Sequence, residues 1–88
     1  MTTSVRGLRV DRSLDVRAVE GPDGYRQAVA MLQQMAEDEV LELHLDDGEP
    51  LRTMPFGLRA EGHEILISEP VTHGVRLLIR KRSLLQST

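Results

Sequence analysis

The sequence predicts an α/β (α+β) two-layer sandwich, with elements in the order β-α-β-α-β-β, a four-stranded mixed sheet and two helices on one of its faces. Three observations carry this expectation. Residues 41–46 and 75–80 alternate their side chains at the strand period. Residues 25–36 repeat apolar side chains at three- and four-residue steps, the period of a helix. Turn-forming residues punctuate the chain at 21–24, 47–50 and 70–74.

Taken in order, residues 1–11 show no clear periodicity and are expected to form a flexible lead-in. Leu14, Val16 and Ala18 alternate with Asp15 and Arg17, as in a half-buried strand. Gly21-Pro22-Asp23-Gly24 then opens a helix. Proline suits a first turn because its missing N–H would have no intrahelical partner there. Asp23 brings a negative charge to the positive end of the helix dipole. Tyr25, Ala28, Val29, Leu32, Met35 and Ala36 make one apolar stripe. Leu41, Leu43 and Leu45 give the clearest strand signal. Pro55 is expected to open the second helix, with Thr53 as N-cap and Gly62 as its stop. Ile65-Leu66-Ile67 and residues 75–80 pair as an antiparallel hairpin joined through residues 70–74. The first two strands, linked by a helical crossover, are expected to run parallel. One domain then spans 12–82, and 83–88 form a flexible tail. The second face of the sheet is expected to be open to solvent and to carry Arg17, Glu42, His44, Arg76 and Arg80. Leu66, Leu78, Leu84 and Leu85 are candidates for an exposed dimer contact.

The chain has 88 residues, which suits one domain, and 40% are hydrophobic, too many for a disordered chain. Tyr25 and Phe56 are its two aromatics, so the core must be aliphatic. It has no cysteine. That excludes disulfides, cysteine-ligated metal and thiol nucleophiles, and it suits a reducing cytoplasm. Residues 1–10 hold no long apolar run, so no signal peptide is expected. The net charge of −3 disfavours a dedicated nucleic-acid binder. Residues 37–49 hold seven acids and no Lys or Arg, whereas residues 76–82 hold four bases and no acid. These runs read as two solvated faces, or as a bipolar surface that orients a charged partner. His44 and Asp46 share a strand face, but His63 and His73 have no matching spacing, and no metal site or cofactor is expected. Asp15, beside the turn, is expected to order it through backbone hydrogen bonds.

Four stretches resemble the TusA/SirA-like sulfur-carrier family: Leu14-Asp15 with Pro22 opening a helix, Leu45-Asp46-Asp47, Met54-Pro55-Phe56-Gly57 followed by Gly62-His63-Glu64, and Leu78-Ile79-Arg80-Lys81. The resemblance implies the same small sandwich. It also implies a cysteine, in Cys-Pro-x-Pro at the start of the first helix, that carries sulfur as a persulfide. Here Gly21 holds the cysteine position and Gly24 that of the second proline, so Gly21, Pro22, Asp23 and Gly24 form a degenerate version. Sulfur transfer is therefore not expected, and no other constellation suggests an enzyme. The helix start offers exposed amides to an anion, although Asp23 works against it.

Two functions remain. The first is a non-catalytic protein-interaction or regulatory module, in sulfur transfer or cofactor assembly, docking a protein partner through Arg17, Arg76, Arg80, Lys81 and Arg82. The second is RNA binding. It follows from the likeness of the family's fold to the C-terminal domain of bacterial translation initiation factor 3, and from the basic residues of the last strand. Stacking aromatics for RNA are lacking.

Overall fold

The structure is a computed structural model that describes residues 3–83. Along the chain run β1 (Thr3–Val5), β2 (Leu8–Val10), β3 (Arg12–Asp15), α1 (Gly21–Gln34), β4 (Val40–Leu45), α2 (Glu49–Ala60), β5 (Glu64–Val71) and β6 (Gly74–Arg80). The main sheet has the order β3-β4-β6-β5. β3 and β4 pair in parallel across the α1 crossover, and the other pairings are antiparallel. This is the expected mixed four-stranded sheet.

The strand period sorts its two faces. Leu41, Leu43 and Leu45 of β4 and Val75, Leu77 and Ile79 of β6 point to one side. There they meet Ala28, Leu32 and Met35 from α1 and just beyond it, and Met54 and Leu58 from α2. Both helices therefore cover the same face. Each fully buried leucine contributes about 1.5–3 kcal/mol by leaving water, and an almost wholly aliphatic core results. No helix among the described residues is long and apolar enough to cross a membrane.

The other face is less open than the alternation alone suggests. The expected lead-in forms an antiparallel hairpin, β1–β2, closed by a two-residue turn at Arg6 (φ 54°) and Gly7 (φ 79°). Positive φ at both turn residues matches the twist of the flanking strands. Val5, Leu8 and Val10 pack on Val40, Leu66, Ile67 and Leu78. Asp11 ties the hairpin to β4, its N–H donating to the Val40 carbonyl and its carboxylate accepting the Val40 N–H, each at 2.9 Å. Leu78 is thus fully buried, which removes it from an exposed dimer contact, whereas Leu66 is half-buried. Leu84 and Leu85 lie outside the described residues, as does the tail beyond Ser83.

Three boundaries differ from expectation. The first sheet strand ends at Asp15, because the Asp15 carboxylate accepts the Arg17 N–H at 3.0 Å and Ala18 turns to φ 66°. This is the backbone-ordering role expected of Asp15. The second helix starts at Glu49, with Pro50 in its first turn and Pro55 inside. Thr53 does not cap it; its hydroxyl donates back to the Glu49 carbonyl at 3.0 Å. Pro55 forfeits one helix bond but is buried, so packing outweighs the loss. Gly62 (φ 99°) does stop the helix, with the His63 N–H reaching the Leu58 carbonyl and the Gly62 N–H that of Arg59. Finally, β5 continues through Pro70 to Val71, leaving only Thr72 and His73 as the turn. An edge strand admits Pro70 because its missing donor can face outward.

Candidate functional site

The two helices begin at the same end of the sheet, since both follow parallel strands. The start of α1 and one side of α2 from Glu49 to Gly57 enclose a cleft of about 500 Å³ lined by Pro22, Tyr25, Glu49, Pro50, Thr53, Met54 and Gly57. Two glycines shape it. A Cβ on Gly24 would stand 3.3 Å from the Val16 Cβ, so glycine lets α1 lie close on the end of β3. A Cβ on Gly57 would stand 2.7 Å from Tyr25 Cε1, so the tyrosine ring rests directly on the α2 backbone. The Tyr25 hydroxyl donates to Glu61 at 3.4 Å. Burial, with help from the nearby Glu61 charge, pushes its pKa upward. Phe56 stands one residue before Gly57 and is 71% exposed, the one large hydrophobic side chain so exposed among the described residues.

The cleft's chemistry is that of binding. Its lining offers two prolines, a thioether, an aromatic ring, a hydroxyl and the single carboxylate of Glu49. Nucleophilic catalysis requires a nucleophile within hydrogen-bond reach of an oriented base, and the lining supplies no such pair.

A second polar group lies on the far face of the sheet. The Asp15 carboxylate takes a two-point bond from Arg17, at 2.6 and 3.0 Å, which holds its pKa well below the usual carboxylate range and raises that of Arg17. Arg76 bridges Glu69 and Glu42, and Arg6 of the hairpin turn also binds Glu69, at 2.8 Å. Hydrogen bonds from Arg76 and Arg6 lower the Glu69 pKa. His44 Nε2 lies 3.4 Å from Glu42, and its Nδ1 is buried with no hydrogen-bond partner.

The residues singled out from the sequence divide between these places. Gly21, Pro22, Asp23 and Gly24 form the first turn of α1, and Pro22 lines the cleft. Asp23 pairs with Arg26 at 2.7 Å. The five basic residues do not converge on one free surface. Arg17 holds Asp15, Arg76 holds Glu69 and Glu42, Arg80 lies 3.4 Å from Glu64, and Arg82 lies 2.7 Å from Asp38. Lys81 donates to the Leu32 carbonyl in the last turn of α1, a turn that carries no basic residue of its own. It thereby supplies the positive charge that a helix C-terminus favours. The acidic and basic runs meet here: Asp38 pairs with Arg82, and Glu37 accepts the Ser83 N–H. Among the described residues no three His, Asp or Glu side chains converge as a metal ion would require. Asp46, considered with His44, instead accepts the Ala18 N–H at 2.9 Å.

Pro50, Thr53, Met54 and the Tyr25–Gly57 contact escaped the sequence reading as a site. The available signal was a glycine inside a helical pattern, which marks close approach as often as a break. No protein-family model and no curated protein matches this chain.

Proposed function

We propose that this chain is a TusA-like domain of the cytoplasm that docks a partner protein through the cleft between its helix starts and carries no sulfur itself. The observation that carries this is the cleft: largely apolar, about 500 Å³, without a nucleophile–base pair, and with the exposed Phe56 placed by the helical period next to its lining residues Glu49 and Thr53. Exposed apolar surface around a concavity marks a binding place more often than a bare surface does. The missing cysteine supports the second half, because Gly21 offers no atom to hold a persulfide. RNA binding has less support, since the basic residues that suggested it each face a carboxylate or a helix carbonyl.

The test is partner capture from the source cell's extract with the wild-type chain and with Phe56→Arg. A partner retained by the wild type and lost by the variant supports docking at the cleft. A partner held equally by both, or repeated failure to recover one, contradicts it. A labile sulfur found by mass spectrometry on the purified chain and passed to an acceptor contradicts the non-transfer half.

A further inference from the structure

We infer that the cleft receives an apolar side chain from a basic segment of the partner. This rests on the docking reading above and adds the partner's chemistry. The apolar part of the lining is Pro22, Tyr25, Pro50 and Met54. Carboxylates flank it along the chain. Glu49 lines the cleft, Glu20 holds the N-cap position of α1 without a side-chain hydrogen bond, Asp47 stands two residues before Glu49, and Glu61 accepts the hydrogen bond of the lining Tyr25 hydroxyl. All four carboxylates are exposed, and none makes an ion pair with another described residue. By the 3.6-residue period, Arg52 and Arg59 stand beyond Phe56, on the side of α2 turned away from Pro50, Met54 and Gly57. Cations of a partner therefore face the carboxylates over the cleft, while Arg52 and Arg59 repel them from the outer side of Phe56. Opposite charges across a docking rim set register and speed encounter. The competing occupant is an anionic group, drawn by the positive ends of two helices. Asp23 and Glu49 already occupy that field in each first turn.

The experiment pans a displayed library of random peptides against the full wild-type chain and against Phe56→Ala, whose exposed position leaves the fold intact. The expected result is enrichment, on the wild type only, of peptides with a large apolar residue beside Lys or Arg. A synthetic copy of such a peptide should bind Glu49→Gln about two- to fivefold more weakly at low salt, with the difference fading at high salt. Enrichment of acidic or neutral peptides that depend on Phe56 overturns the charge assignment and leaves docking at the cleft standing. Enrichment with no dependence on Phe56, or none at all, overturns both. Sedimentation showing that the free chain self-associates, and that Phe56→Ala does not, assigns the cleft to a second copy and also overturns the inference.

Discussion

Gly57→Ala tests the wall of the cleft through two opposing effects. Alanine favours a helix interior over glycine by about 1 kcal/mol. At this position the added Cβ would stand 2.7 Å from Tyr25 Cε1 and 3.0 Å from both Cζ and the hydroxyl oxygen. Carbon atoms in contact settle at about 3.5–4.0 Å, so the ring must retreat by about 1 Å. Overpacking of this kind costs about 1–3 kcal/mol. The net expectation is a change between zero and about 2 kcal/mol of destabilisation. In a Tyr25→Ala background the obstacle is gone, and the same substitution should stabilise by about 1 kcal/mol. The two residues should therefore couple by about 1–3 kcal/mol in a double-mutant cycle. Urea unfolding of the four proteins, followed by circular dichroism, measures it. Equal stabilisation by Gly57→Ala in both backgrounds, with coupling below about 0.5 kcal/mol, would mean that Tyr25 does not rest on Gly57.

Other positions give sharper signs. Gly74 sits at φ 141°, and a Cβ there would lie 2.5 Å from the Leu45 carbonyl oxygen, so Gly74→Ala should cost at least about 1–3 kcal/mol; an unchanged urea midpoint would contradict the turn geometry. His63 Nδ1 accepts the Arg82 N–H at 3.0 Å, and burial, then the Lys81 charge, lowers its pKa. The unfolded chain therefore takes up that proton first, and stability should fall as pH drops below about 6.5, a slope that His63→Gln should flatten. An NMR titration placing His63 above the ordinary histidine value would refute this. Arg6→Ala removes the 2.8 Å pair with Glu69, and should speed amide exchange in β1 and β2 while changing global stability by less than about 1 kcal/mol. Unchanged exchange in the hairpin would show that this pair does not hold it down.

The core was legible because it is written in two clean periods. Leu41, Leu43 and Leu45 can bury together only on one sheet face, and Ala28, Leu32 and Met35 lie along one helix stripe that meets them. The hairpin was not legible. Its three apolar residues, Val5, Leu8 and Val10, are interleaved with arginines, and its turn is Arg-Gly where Asn-Gly or Asp-Gly would announce it. The start of α2 was misplaced because Pro50 sits within the turn signal of residues 47–50, while Pro55 fits a first helical turn equally well and is instead buried inside the helix. Charge runs misled for another reason. Sequence shows sign but not neighbourhood, and folding brings Asp38 against Arg82 from 44 residues away. The cleft needed both helices in place, because Pro22 and Tyr25 come from one and Pro50, Met54 and Gly57 from the other.

A photo-crosslinking residue placed at Phe56, and separately at the exposed Gln33 near the far end of α1, addresses the docking surface in the living source cell. The expected result is one discrete crosslinked partner from position 56 and none from position 33. Products from both positions alike, or from position 33 alone, would contradict recognition through the mouth of the cleft.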